Sequence, residues 1–225
     1  MKVSIVIPAH NEEKNLPELL SRLKKVAKTC REIGEIVVVD NNCTDKTAAI
    51  AKKFRCRVVK ESVPGKGSAL RAGFSAAEND FVLMLDADLS HIPEDIPKMI
   101  APLKNPTVGL VQASRSLGGS EEYSFVRAIG NISLTAFANS MLGTRMTDAL
   151  NGFKAMRREV VSGLRCRTFD IEIEILANCL RLGYKVVEIP SQEKARASGA
   201  SNLKAVKDGW RFARQILKES ARQKL

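Results

Sequence analysis

The sequence has no Cys-x-x-Cys pair, no long apolar run and few aromatic side chains. Its five cysteines, Cys30, Cys43, Cys56, Cys166 and Cys179, are scattered and odd in number. That pattern argues against a disulfide framework or a zinc site and fits a reducing cytosol. No stretch approaches the roughly 20 apolar residues needed to span a bilayer. The first apolar run, Val3 to Ile7, is too short for the h-region of a signal peptide. Eight Phe, two Tyr and one Trp, with no interleaved basic-aromatic motif, offer little for stacking bases, so nucleic acid is not an expected partner. The first strand-like run is followed by neither Gly-x-Gly-x-x-Gly nor a Walker-type glycine loop, which removes support for dinucleotide and P-loop readings. Internal repeats and low-complexity tracts are also missing.

What is present is charge. With 36 Lys and Arg against 25 Asp and Glu, the net charge is +11, which favours anionic partners such as phosphorylated ligands or an acidic membrane face. At 225 residues the chain can bury a full core and fits one domain better than two.

Short apolar runs alternate with helical patterns through the first half. Val3 to Ile7, Glu35 to Val39, Arg57 to Val59 and Phe81 to Leu85 read as strands, three of them almost wholly apolar, as parallel strands covered on both faces are. Leu16, Leu19, Leu20, Leu23 and Val26 recur at helical spacing, and Ala48 to Phe54 and Ala69 to Ala77 read similarly. Thr44 is placed to cap the second helix. The second half reads as a strand at Val108 to Ala113 and a long helix near Tyr123 to Leu142. A strand at Gly152 to Met156, a helix at Asp170 to Leu182 and a strand at Lys185 to Ile189 follow, then a basic helix from about Leu203. Ala195 to Ser201 is the best candidate for a mobile loop. Strand-helix alternation predicts an α/β fold with a mainly parallel sheet flanked by helices, whose ligands bind beyond the carboxyl ends of the strands.

Acidic and polar residues gather at those ends: Pro8-Ala-His10-Asn-Glu12-Glu after strand one, Asp40-Asn-Asn after strand two, Asp86-Ala-Asp88 after strand four. Carboxylates at i and i+2 of a strand end point to one side, roughly 6–7 Å apart at Cα. They repel unless a cation or base lies between them. Oxygen-only ligands at a wet site suit Mg²⁺ or Mn²⁺ shared with substrate phosphates. The alternative is a pair of solvated loop acids, or Asp88 leading into a helix at Pro93. Gly65-Lys66-Gly67 before a helix start suits a phosphate equally well as a flexible turn. His91, before Ile92-Pro93, is expected in a loop rather than on a metal.

Taken in order, Pro8-Ala-His-Asn-Glu-Glu13, Val39-Asp-Asn-Asn-Cys-Thr-Asp45, Gly65-Lys-Gly67, Asp86-Ala-Asp-Leu-Ser90, Asp148-Ala-Leu-Asn-Gly-Phe153, Phe169-Asp-Ile-Glu172 and Arg196-x-x-Gly-x-Ser-Asn-Leu203 resemble the family 2 glycosyltransferases. The likeness is to the branch of dolichyl-phosphate mannose synthases and related polyprenyl-phosphate hexosyltransferases. It implies a GT-A fold, a single Rossmann-like domain over 1–203 with a donor half to about 115 and an acceptor half beyond, and a basic amphipathic helix over 204–225. It also implies that Pro8, His10, Glu12, Asp40 and Lys66 face a nucleotide sugar and that Asp86 and Asp88 hold a metal and diphosphate. Ser90 stands where a relative has a glutamine ligand. Arg115, Arg127 and Arg196 match basic positions facing phosphate, and Asp148 heads the acceptor segment. Asn41 and His10 depart from a common aspartate and tyrosine, which leaves uracil and guanine both open; Asn202 stands where many relatives have lysine.

A lipid phosphate acceptor is already anionic and needs no general base, only arginines and a divalent ion to hold two anions in line. A sugar hydroxyl would need a carboxylate to take its proton, and Asp148 is the candidate, unless it is a buried acid paired with Arg145 or Arg127. The expected partners are therefore a nucleotide-diphosphate sugar, with GDP-mannose first and UDP-glucose or UDP-GlcNAc possible, and a polyprenyl or dolichyl phosphate. The last helix, with Leu203, Val206, Trp210, Ala213 and Leu217 on one stripe, Phe212 nearby and basic flanks, fits an anionic bilayer surface or packs on the domain. A peripheral place on the cytosolic membrane face, with or without an integral membrane partner, follows from a lipid acceptor.

Overall fold

The computed structural model describes residues 1–121, 125–195 and 205–223. Seven strands form one sheet: β1 (Val3–Ala9), β2 (Ile33–Asp40), β3 (Arg57–Lys60), β4 (Phe81–Met84), β5 (Val108–Ser114), β6 (Lys154–Arg157) and β7 (Lys185–Pro190). The helices are α1 (Leu16–Thr29), α2 (Thr47–Lys53), α3 (Lys66–Ala76), α4 (Ile96–Ile100), α5 (Arg115–Gly118), α6 (Phe125–Leu142), α7 (Ile171–Arg181) and α8 (Ala205–Gln223). The strand order is β3-β2-β1-β4-β6-β5-β7. All neighbours pair parallel except β6, which runs antiparallel to both β4 and β5. The expected α/β sheet is thus present, with one reversed strand that the apolar pattern alone did not signal.

Two cores flank the sheet because successive strand residues point to opposite faces. Ile5, Ile7, Val38 and Leu83 pack with α1, α2 and α4, whereas Val6, Val37, Val82 and Met84 pack with α3, α6, α7 and α8. Leu16, Leu19, Leu20 and Leu23 are fully buried, as their spacing predicts, and full burial of each such side chain contributes about 1.5–3 kcal/mol.

Local chemistry sets the helix starts. Thr44 does not cap α2; its backbone N–H and hydroxyl go to the Asn11 side chain. Asp45 does the work instead, its carboxylate accepting from the Thr47 N–H at 2.9 Å and the Glu13 N–H at 3.0 Å. Helix α3 begins at Lys66, three residues before the apolar periodicity, because Gly65 sits at φ 126 and turns the chain into it. A side chain there would also lie 2.2 Å from the Arg167 carbonyl oxygen.

Helix α8 corrects one expectation. It packs through Asp208, Phe212, Gln215, Ile216 and Glu219, so Phe212 is core and not a surface aromatic. The buried acids are matched, Glu219 by Arg181 and Arg222, and Asp208 by Arg211. The stripe of Trp210 and Leu217 faces outward, 76% and 50% exposed. Leu203 and the Ala195–Ser201 loop beyond Ala195 lie outside the described residues, as does the start of the long helix at Tyr123.

Candidate active site

The carboxyl ends of β1, β2 and β4 open into a cleft of about 320 Å³. Pro8, His10, Glu12, Lys66, Asp86 and Asp88 line it, joined by Asn41, Gly65 and Phe169. A larger groove of about 920 Å³ lies beyond α3, between Arg71, Arg158 and Arg167, and its carboxylates, Glu61 and Glu159, do not form an Asp-x-Asp pair. The smaller cleft is the one that holds Asp86 and Asp88.

At its centre the Lys66 ammonium lies 2.8 Å from Asp86 Oδ1 and 3.0 Å from Glu172 Oε1. Burial pulls Lys66 down, but the Asp86 and Glu172 carboxylates outweigh it and hold it above the usual lysine range. Burial likewise pushes Asp86 up, and Lys66, followed by His91, more than reverses this, so Asp86 sits well below the usual carboxylate range. Both groups stay charged. His91 is in a loop, as expected, yet it is buried there with its ring stacked on Phe153 and Nε2 3.7 Å from Asp86 Oδ2.

Asp88 is 5% exposed and accepts from the Ser90 hydroxyl at 2.6 Å and the Ser90 N–H at 3.1 Å. Between them Leu89 adopts φ 66, a left-handed conformation that costs a branched side chain roughly 1–2 kcal/mol. Such strain is found where the surroundings fix a loop for a purpose, here the aim of Asp88.

Among the described residues no cluster of three or more His, Cys, Asp or Glu is arranged to hold a metal ion. Two carboxylates and a hydroxyl remain, an all-oxygen set too small for a resident metal. They fit a hard divalent ion that completes its shell with substrate phosphate and water.

The other predicted donor residues are held by local bonds. His10 Nδ1 lies 2.8 Å from the Asn41 carbonyl oxygen, and Glu12 accepts from Asn15 at 2.7 Å. Asp40 accepts from the Cys43 N–H at 2.9 Å, closing the turn after β2 rather than lining the cleft. Asn41 donates to the carbonyls of Glu61 and Val63 and accepts from the Gly65 N–H. An aspartate could not donate to those two carbonyls, so the amide at this position has a structural cause.

On the acceptor side Arg115 and Asp148 come together. Arg115 Nε and Nη2 reach the two Asp148 oxygens at 2.7 and 2.8 Å, and the Arg115 backbone N–H adds a third bond at 3.0 Å. Asn131 and Asn151 also donate to this carboxylate, which is fully buried. Burial pushes Asp148 up and Arg115 overrides it, leaving the acid below its usual range. A saturated, buried carboxylate is a poor proton acceptor for an incoming hydroxyl. Among the described residues the partner is Arg115 rather than Arg145, while the Arg127 pairing considered from sequence falls on a side chain outside them. Arg196 lies outside the described residues, as does the side chain of Arg127 on α6.

Sequence reading missed three site members. Glu172 is 3% exposed under Lys66, and Lys154 and Gln112 are fully buried, Gln112 bridging Lys154 to the Asp148 carbonyl. Their signal was polarity inside apolar runs: Ile-Glu-Ile-Glu-Ile in α7, Leu-Val-Gln-Ala in β5, Phe-Lys-Ala in β6.

Residues 4–165 match the family model described as glycosyl transferase family 2. Dolichol-phosphate mannosyltransferase of Pyrococcus furiosus is 35% identical over 221 residues, a match that covers 91% of this chain and 60% of that protein. Undecaprenyl-phosphate 4-deoxy-4-formamido-L-arabinose transferase of Pectobacterium atrosepticum is 34% identical over 218 residues, covering 91% of this chain and 63% of that protein. The chain therefore spans about three-fifths of the length of these curated relatives. Among solved structures, glucosyl-3-phosphoglycerate synthase from Mycobacterium tuberculosis, in complex with Mn²⁺, uridine diphosphate and glucosyl-3-phosphoglycerate, superimposes with a TM-score of 0.77. Its identity is 24%, over 98% of this chain and 80% of that one, a likeness of fold.

Proposed function

Because the chain belongs to glycosyl transferase family 2, we propose that it moves a hexose from a nucleotide-diphosphate sugar to a polyprenyl or dolichyl phosphate, inverting the anomeric centre. One observation carries the choice of acceptor. The strand-end carboxylates face an open cleft, whereas Asp148, the base a hydroxyl acceptor would need, is sealed by Arg115. A phosphate monoester arrives already ionised and needs no such base. The names of the mannosyltransferase and arabinose-transferase relatives, which act with dolichol and undecaprenyl phosphates, support the same acceptor class.

In this mechanism Pro8, His10 and Glu12 flank the nucleoside at the ends of β1 and its loop, with Asp40 shaping the neighbouring turn. Asp88, with Asp86 and Ser90 beside it, would hold Mg²⁺ or Mn²⁺ together with the diphosphate. When bound, that ion neutralises the charge that builds on the departing diphosphate. Lys66 balances Asp86 so that two carboxylates can converge without mutual repulsion. Arg115, fixed by Asp148, presents its remaining Nη1 beside Glu193, 3.5 Å away, on the acceptor side. Arg127 and Arg196 are the further basic residues that the family resemblance assigns to phosphate. GDP-mannose is the first donor to try and UDP-glucose or UDP-GlcNAc the next.

No helix among the described residues is long and apolar enough to cross a membrane. Within the described residues, exposed apolar side chains are the candidates for contact with a lipid acceptor. Trp210 and Leu217 on α8, and Ile129 and Ile132 on the adjoining α6, are all about half exposed or more. Exposed Lys207, Arg211, Arg214 and Lys218 surround the α8 pair. Apolar side chains ringed by basic ones suit an anionic bilayer, on its cytosolic face.

The test is direct. The protein is incubated with Mn²⁺, a polyprenyl phosphate and a panel of GDP- and UDP-sugars while nucleotide release is followed. Release that requires both metal and lipid phosphate is expected. Release driven only by hydroxyl acceptors, or by none, overturns the proposal.

A further inference from the structure

We propose that Glu172 is a positioning residue for the donor site, acting through Lys66, an inference that rests on the cleft being the donor pocket. Lysine is a compact charge on a flexible four-carbon stem, so its location is set by whatever grips the ammonium. Two carboxylates from separate elements do so here. Asp86 comes from the end of β4, Glu172 from the first turn of α7, and Lys66 itself opens α3. The Lys66 and Glu172 side chains are 11% and 4% exposed, and the Phe169 ring lies 5.6 Å from the ammonium.

The remaining side is closed by backbone. A side chain at Gly152 would meet Lys66 Nζ at 2.8 Å, Asp86 Oδ2 at 3.0 Å and Glu172 Oε1 at 3.4 Å. The triad is therefore walled in by the same segment that carries Asp148, and Lys66 has one place to be. Two carboxylates on one ammonium leave a local surplus of negative charge. An incoming diphosphate competes with Asp86 for Lys66, and only a second anchor behind the ammonium keeps it in the cleft rather than letting it follow the phosphate outward. Glu172 is that anchor, buried and out of reach of the donor.

The experiment compares the wild type, Glu172→Gln, Lys66→Met and the double variant. UDP and GDP are titrated into each with Mn²⁺ by calorimetry, alongside thermal melts and donor and acceptor KM values. Glu172→Gln is expected to weaken nucleotide binding and raise donor KM about tenfold, leaving acceptor KM unchanged. In the Lys66→Met background the second substitution is expected to add less than about twofold, since coupled residues are non-additive. Equal losses with and without Lys66 would show a merely structural role and overturn the proposal, as would a Glu172→Gln protein that binds like the wild type. A wild type that binds neither nucleotide overturns the donor-pocket reading as well. If Glu172→Gln does not fold, Glu172→Asp serves instead: it keeps the charge but draws the carboxylate back from Lys66, and wild-type nucleotide affinity in that variant would refute the inference.

Discussion

Replacing Asp148 with asparagine should destabilise the fold by about 3 kcal/mol, because removing one partner of a buried ion pair costs about 3–5 kcal/mol. The lower end applies since Arg115 is 16% exposed and has Glu193 within 3.5 Å as a second anion. The new amide nitrogen would also face Arg115, Asn131 or Asn151, all donors. For a chain of this size each kcal/mol shifts the midpoint by about 2–4 °C, so the expected loss is roughly 6–12 °C by circular dichroism at pH 7. The effect has a definite pH signature. Asp148 is depressed in the fold, so its contribution is full above the unfolded value of about 3.9 and is lost as pH falls through the folded value. The gap between wild type and variant should therefore narrow as pH falls below about 4. An unchanged midpoint at pH 7, combined with lost turnover, would refute the structural role and restore Asp148 as a catalytic base.

Lys154 makes the opposite kind of prediction. Burial lowers it to about 8 against the pull of Glu172 and Asp148, so between about pH 8 and 10 the unfolded chain holds the extra proton and this residue favours folding more as pH rises. Buried Cys166 and Cys179 are raised, by burial first, and act the other way; Cys166 does so alike in a Lys154→Met variant, and Cys179, which Lys154 draws down, does so slightly more, in the direction of the expected fall. The stability of that variant relative to wild type should fall across this window in denaturant titrations, and a constant difference would refute the assignment. Asp88→Asn should lower Mn²⁺-dependent turnover on the order of a hundredfold, as loss of one electrostatic contributor does, with isothermal titration showing weaker metal-nucleotide uptake. Normal turnover would exclude Asp88 as ligand. Trp210→Ala with Leu217→Ala should abolish sedimentation with anionic vesicles while changing stability by less than about 0.5 kcal/mol per site, since both side chains are exposed. Undiminished vesicle binding would place the membrane contact elsewhere.

Apolar periodicity carried most of the architecture. Strands buried on both faces and a helix with Leu16, Leu19, Leu20 and Leu23 on one side leave few choices of layer, and the carboxylates at the strand ends follow from that layout. Direction was not legible for β6, since a short apolar run reads alike both ways and its antiparallel pairing depends on the chain's return path. Nor was the buried face of α8. Its visible stripe of Trp210 and Leu217 is apolar, but the helix is held through Phe212 and Ile216 and through Glu219, whose partner Arg181 lies on another helix. The pairing of Lys66 with Glu172 spans 106 residues, and no local pattern encodes it.

The two halves of the site share one segment, and that determines how they can communicate. Asp148 heads it and fixes Arg115; Gly152, four residues on, packs against Lys66, Asp86 and Glu172. Lys154 then enters β6 and reaches back through Gln112 to the carbonyl of Asp148. Asp148, Gly152, Lys154, Gln112 and Glu172 in this chain are buried, Lys66, Asp86 and Arg115 are partly so, and hydrogen-bonded charged networks of this kind resist small independent displacements. Under the proposed transfer, the Asp148–Gly152 stretch ties Lys66 to Arg115 through one packed segment, and alignment of two anions is the main demand that transfer to a phosphate makes.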